Sequence, residues 1–295
     1  LRLFTLFFAL ISASSASASV SIYHDYHKVQ AFIAQIAKDY PQNAKLIEIG
    51  QSDEGESIVG LAIGHGAIKN LIVATHHGNE YGSTEVALGS ALDLAKNPIV
   101  DQTIYVIPVL NISGFDANQR EEALGGRTLD ANRDYPGPCA TSGPFLLKST
   151  KALADFIANE GIVASATLHT FGPLVLYPWG ISTADVKTAY DPQFIALAQA
   201  GASTSHYTVG NSTEALYPAD GTFEDYSFWQ HGIWSLLYEI GDSHSPTETE
   251  LAKLVADNVP GLRAMMMAAP KVRAADHAFK GKCETRFRIL DRHDE

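Results

Sequence analysis

Leu71-Ile72-Val73-Ala74-Thr75-His76-His77-Gly78-Asn79-Glu80 joins a continuous apolar run to an imidazole and a carboxylate three residues apart. Leu71 to Thr75 reads as a central strand covered on both faces, and it delivers His77 and Glu80 at its carboxyl end. Three further runs repeat the arrangement. Ile104 to Val109 leads into the polar stretch Asn111 to Arg133, Ile162 to Leu168 ends at His169, and Ile233 to Tyr238 ends at Glu239. Open α/β sheets bind their ligands at the carboxyl ends of strands. Four runs ending in polar groups therefore predict an α/β fold with one site along that edge.

Two His and one Glu make a three-residue zinc shell with an open fourth position, the mark of catalytic rather than structural zinc. His77, Glu80 and His169 supply that set. Glu239 is then a spare carboxylate able to deprotonate water, so the four residues read as a hydrolase centre. With 11 His and 33 acidic residues, a lone His-x-x-Glu is expected by chance. The placement at strand ends carries the reading.

The rest of the pattern fits layers around a sheet. Val29, Phe32, Ile33 and Ile36 recur at helical spacing, and Pro41 closes that helix. Lys45 to Ile49 and Ser57 to Ile63 read as a hairpin about Asp53-Glu54-Gly55. Helices are predicted over Ser83 to Ala95, Leu147 to Ala158 and Pro192 to Ala200. A last helix is predicted to open on a capping box, Ser245-Pro246-Thr247-Glu248, and to end near Met267. Neither an internal repeat nor a low-complexity linker interrupts the chain. The expected fold is a three-layer α/β/α sandwich on a mixed, mostly parallel central sheet. It forms one domain over residues 19–270, followed by a charged tail, 271–295, predicted to be flexible apart from Cys283.

Of 295 residues 46% are apolar, enough for a full core, and the net charge of −12 argues against nucleic acid and anionic membranes as partners. Arg2, the apolar run Leu3 to Ile11 and Ala16-Ser17-Ala18 have the form of a secretory signal over residues 1–18. The run is too short to span a bilayer. The expected location is secreted or periplasmic. Cys139 and Cys283 fit one disulfide in such a compartment, with two free thiols as the alternative. Asn111-Ile112-Ser113 and Asn211-Ser212-Thr213 are glycosylation sequons.

Over about residues 22–268 the motifs resemble the M14 family of zinc metallocarboxypeptidases. His77 to Glu80 is similar to the family's HxxE motif, Asp130-Ala131-Asn132-Arg133 to its Asp-x-Asn-Arg segment, and His169-Thr170 with Leu176-Tyr177-Pro178 to its third-ligand segment. Tyr217 in Leu216-Tyr217-Pro218 resembles the mobile tyrosine, and Glu239 in Leu237-Tyr238-Glu239 the general base. The resemblance implies one Zn²⁺ held by His77, Glu80 and His169, with Asp130 accepting the ring N–H of His77. It implies a carboxylate clamp at Arg133 assisted by Asn132, and a closing phenol at Tyr217. The oxyanion arginine is implied at Arg120, in Asn118-Gln119-Arg120, with Arg127 as the rival. The stretch from Arg120 to Asp130 is longer than the compact family form.

Glu224 stands where basic-specific members carry an acidic residue, typically Asp. Asp225 matches a structural Asp of the family. Phe171 replaces a common Tyr, and Gly78-Asn79 replaces the Ser-Arg of digestive members, so two substrate contacts are absent. Residues 19–76 are expected to be taken up by the first helix and hairpin, so latency through a prodomain is not expected. The implied function is a monomeric zinc carboxypeptidase acting on peptide or protein C-termini, with a basic preference through Glu224. The rivals are a zinc amidohydrolase deacylating N-acyl amino acids, a murein-peptide carboxypeptidase and an inactive binding module.

Overall fold

The computed structural model describes residues 25–139, 144–183 and 187–283. The signal-like segment 1–18 lies outside them. In chain order the first elements are α1 (Tyr26–Asp39), β1 (Ala44–Gln51), β2 (Ser57–Gly64), β3 (Ile68–Ala74), α2 (Tyr81–Lys96) and β4 (Gln102–Ile107). Then come α3 (Ile112–Ala117), the short strands β5 (Glu122–Leu124) and β6 (Arg127–Leu129), a 3-10 turn (Ala131–Arg133), α4 (Lys148–Glu160), β7 (Ala164–His169) and β8 (Leu174–Tyr177). The chain continues through α5 (Asp191–Gly201), β9 (Thr208–Asn211), α6 (Ser212–Ala215), α7 (Phe223–His231), β10 (Trp234–Glu239) and α8 (Glu248–Ala268).

Eight strands form one sheet in the order β1-β2-β4-β3-β7-β10-β8-β9. Four pairings are parallel and three antiparallel, so the sheet is mixed as expected. The strands β4 and β7 are buried at every position because helices cover both faces. That is why they read as unbroken apolar or small-residue runs. The β7–β10 pair is parallel and places Glu239 beside His169 in register, while Ala74 of β3 pairs with Leu168 on the other side of β7. The central register alone thus brings the ends of β3, β7 and β10 to one edge.

Several local expectations shift. The hairpin about Asp53-Glu54-Gly55 forms with a bulge between Glu48 and Gly50. The capping box of α8 is Thr247 with Glu250, two residues beyond Ser245 and Glu248, because the Glu250 carboxylate reaches back to the Thr247 N–H; Pro246 stands before the cap. The tail is not loose over its described part. Trp234 Nε1 donates to Val272 O, Arg273 donates to the Ile157 and Ile162 carbonyls, and Phe279 packs edge-on against Trp179. Cys139 and Cys283 form the disulfide that fastens residues 271–283 to the loop beyond Arg133. Asn111 and Asn211, the two sequon asparagines, are buried and cap α3 and α6, so neither side chain is free for a glycan in the folded chain.

The extra residues between Arg120 and Asp130 form the β5–β6 hairpin, turned at Gly125 and Gly126, both at positive φ. Glu122 on β5 accepts from the Ser149 hydroxyl, while its other oxygen is buried with no hydrogen-bond partner among the described residues. Burial, with Asp53, Asp134 and Glu54 adding to it, pushes the Glu122 carboxyl up to about 8. A carboxyl raised on folding contributes stability that is complete below its unfolded value near 4.5 and lost as pH rises through about 8. Glu122→Gln should therefore stabilise the fold at pH 8 by about 1–3 kcal/mol and do little at pH 4. Urea titrations at the two pH values check it, and equal shifts at both would show that Glu122 does not titrate on unfolding.

Candidate metal centre and substrate cleft

His77 and Glu80 follow β3 in the loop that opens α2, and Gly78 between them is fixed by packing. A Cβ there would lie 2.0 Å from the Gly114 carbonyl carbon, and the Gly78 N–H donates to Arg120 O. The metal-loop backbone is thereby pressed onto the segment that carries Arg120. His77, Glu80 and His169 are all buried. Their inward atoms converge: His77 Nδ1 is 2.8 Å from Glu80 Oε1, His169 Nδ1 is 3.0 Å from Glu80 Oε2, and the two Nδ1 atoms are 3.2 Å apart. Tetrahedral ligands at zinc–nitrogen distances of ~2.0–2.1 Å lie roughly 3.3 Å from one another. Two imidazole nitrogens facing each other this closely beside a carboxylate suit a shared cation.

The outer nitrogens are also engaged. His77 Nε2 is 3.1 Å from Asp130 Oδ1, which leaves Nδ1 with its lone pair inward. Asp130 is held in turn, accepting from the Asn132 N–H at 2.8 Å as the cap of the 3-10 turn. His169 Nε2 approaches the Thr167 hydroxyl at 3.3 Å, and Thr167 also meets His76 Nδ1 at 3.2 Å. His76 stacks on His169 and reaches Tyr135 OH through Nε2. Thr167 and His76 escaped the sequence reading; the available signal was that Thr167 lies two residues before His169, on the same face of β7. Burial alone would raise the Glu80 carboxyl, but His77 and His169 outweigh it and hold that carboxyl low, in the ligand form.

The triad opens into a cleft of about 310 Å³. Its walls carry every residue expected there: Arg120, Asn132, Arg133, Tyr217, Glu224 and Glu239. Arg120 grips Asp130 Oδ2 through Nε and NH2 and brings NH1 to 3.2 Å from His77 Nδ1. Arg127, the rival, sits exposed on β6. Arg133 NH2 donates to Tyr217 OH at 3.2 Å, and Tyr217 is half exposed at the rim. Asn132 is buried, its Oδ1 accepting from the Phe223 N–H at the start of α7, so it also anchors the helix that bears Glu224. Glu224 is 2% exposed with Oε2 unpartnered among the described residues. Asp225 beside it accepts from the Gly180 N–H. Glu239 presents a buried, unpartnered Oε2 to the same cleft.

A profile of the zinc carboxypeptidase family matches residues 29–261. The chain belongs to that family. It is 24% identical to carboxypeptidase B of Astacus astacus over 75% of this chain and 87% of that protein. It is 26% identical to carboxypeptidase B of Homo sapiens over 75% of this chain, spanning 63% of the human protein. Among solved structures, bovine thrombin-activatable fibrinolysis inhibitor in complex with tick carboxypeptidase inhibitor superposes with TM-score 0.75 at 20% identity, covering 83% of this chain and 96% of that one. Carboxypeptidase A from Helicoverpa armigera gives the same TM-score at 21% identity, over 83% and 73%. The fold is that of the metallocarboxypeptidases, and the His77, Glu80 and His169 set is compatible with one zinc ion.

Proposed function

We propose that the protein is a zinc carboxypeptidase that removes single C-terminal residues from peptides, with a preference for Lys and Arg. Held by His77, Glu80 and His169, a zinc ion would supply Lewis acidity for the scissile carbonyl and lower the pKa of a water toward neutrality. The protein groups divide the remaining work. Glu239 accepts the proton of the attacking water and returns it to the leaving amine. Arg120, kept charged and oriented by Asp130, faces the oxyanion. Arg133 takes the free carboxylate in its planar fork, Asn132 braces it, and Tyr217 closes over the terminal residue. Export is proposed from the leader-like residues 1–18 and is supported by the Cys139–Cys283 disulfide. A monomeric state is part of the same proposal.

The observation that carries the substrate preference is Glu224: a carboxylate 2% exposed, with one oxygen unpartnered, on the wall of the cleft that holds Arg133 and Tyr217. Burial pushes its carboxyl up, so an apolar substrate leaves it neutral or unpaired, whereas a Lys or Arg side chain supplies the missing partner. The test is a panel of peptides differing only in the last residue. Lys- and Arg-terminated peptides should be cut fastest, and C-terminally amidated ones left intact. Glu224→Gln should cost the basic substrates about 2–3 kcal/mol in kcat/KM and spare Leu-terminated ones. Equal rates on Lys and Leu peptides, unaltered in the variant, would remove Glu224 from the specificity pocket.

A further inference from the structure

His244 has no part in the assignments above, yet it lines the cleft. It follows Glu239 by a short turn through Gly241, at positive φ, whose carbonyl accepts from the Gly172 N–H. That bond ties the segment after β10 to the segment after His169. His244 Nδ1 lies 3.0 Å from the Thr170 hydroxyl, and the ring meets Phe171 edge to face at 4.8 Å. Phe171 is itself half exposed, so the pair stands at the rim rather than in the core.

The position relative to the triad decides what this pair can touch. Arg133, Tyr217 and Glu224 keep company with one another. The charged groups acting most strongly on His244 are instead Glu80, Arg120 and His77. The anchors of His244 are Thr170 and Phe171, the two residues that follow the metal-ligand candidate His169, whereas Arg133 and Tyr217 bond to each other. If the terminal residue fills the Arg133 and Glu224 side, the chain upstream of the scissile bond leaves over the Phe171 and His244 side. Extended peptide backbone offers a carbonyl there that has lost its water, and such a group needs a donor.

We infer that His244 is a substrate-binding residue whose Nε2–H donates to a peptide carbonyl upstream of the scissile bond, with Phe171 holding the ring in place. The inference rests on the carboxypeptidase reading. In this proposal the Thr170 hydroxyl is the donor to Nδ1, 3.0 Å away, which puts the proton of the neutral imidazole on Nε2. A ring tied at one nitrogen and braced on its face meets the substrate with little orientation left to lose.

Acetyl-Gly-Lys and pentanoyl-Lys test this, because they match in length and differ in the upstream peptide unit. Wild type should prefer acetyl-Gly-Lys, mainly through KM. His244→Ala should reduce that preference roughly five- to tenfold, the weight of one neutral hydrogen bond, with zinc content equal to wild type by elemental analysis. His244→Gln, which keeps a donor near the same place, should recover part of the preference. An equal loss on both substrates would make His244 a structural residue, and an intact preference in His244→Ala would give the contact to another group; either overturns the inference while leaving the carboxypeptidase reading in place. A wild type that cleaves neither compound, nor any free-ended peptide, removes that reading and this inference together.

Discussion

Glu239→Gln should give a protein that binds zinc and peptide normally and turns over roughly 10²–10⁴-fold more slowly, the range a positioned general base contributes. The amide matches the carboxylate in shape but cannot accept the proton of the attacking water. The loss should therefore fall on kcat, with KM held within a factor of a few. The structure favours this division. Glu239 ends β10 in register with His169, yet the convergent ligand set is His77, Glu80 and His169 without it. Its Oε2 is buried and has no partner among the described residues, so an acceptor is left waiting in the cleft. Burial, with the Glu80 and Glu224 charges, pushes its carboxyl well above the ordinary range, and Arg120 and Arg133 pull it back only in part. That balance suits a group that must take a proton and give it back. Steady-state kinetics with zinc analysis decide the matter: a variant that has lost its metal, or one that keeps near-normal kcat, would take the base role from Glu239.

The parts of this fold legible in the sequence are those whose surroundings repeat. β3, β4, β7 and β10 lie in the middle of the sheet and are buried on both faces, so each appears as a continuous apolar or small-residue run with a polar residue where it ends. The candidate ligands His77, Glu80 and His169 inherit that legibility because the strand ends fix their positions. α7 was not legible for the opposite reason. Phe223 to Phe228 are all buried, charged Glu224 and Asp225 included, so no polar face marks a helical period. β8 is only four residues long, too short to mark a strand by its pattern. Ser245–Glu248 and Thr247–Glu250 match the same capping pattern two residues apart, and only the path of the preceding turn selects between them. The tail packs through a Trp N–H, backbone carbonyls and one aromatic edge, none of which leaves a periodic trace.

The site divides in the same way. His77, Glu80, His169 and Glu239 stand at strand ends, and Asp130 to Arg133 in one short turn, so spacing and residue type suffice to find them. Arg120 competed with Arg127 because the inserted hairpin carries Arg127 away from the centre while Arg120 stays on the loop pressed against Gly78. His244 depends on which turns lie side by side, and a lone His in a polar loop carries no signal of that kind, whereas Thr167 is marked by sharing a face of β7 with His169.

Chelation should abolish activity, and added Zn²⁺ should restore it, while substitution at the centre should follow the geometry in graded steps. His77→Ala or His169→Ala removes one of three protein ligands, so metal should be lost at any practical zinc concentration and activity should fall to background. Asp130→Asn acts one bond further out. It leaves Nδ1 of His77 in place but weakens the group that sets the ring's tautomer, which costs roughly 10–100-fold in metal affinity or activity. Arg120 complicates that variant, because its guanidinium is paired with the same carboxylate at 2.8 Å. Part of the Asp130→Asn loss should therefore persist at saturating zinc, whereas a pure affinity defect would vanish there. Zinc titration followed by activity, with elemental analysis at each point, separates the two contributions. Full activity in preparations shown to be metal-free would end the zinc assignment, and tight zinc binding by His169→Ala would remove His169 from the ligand set.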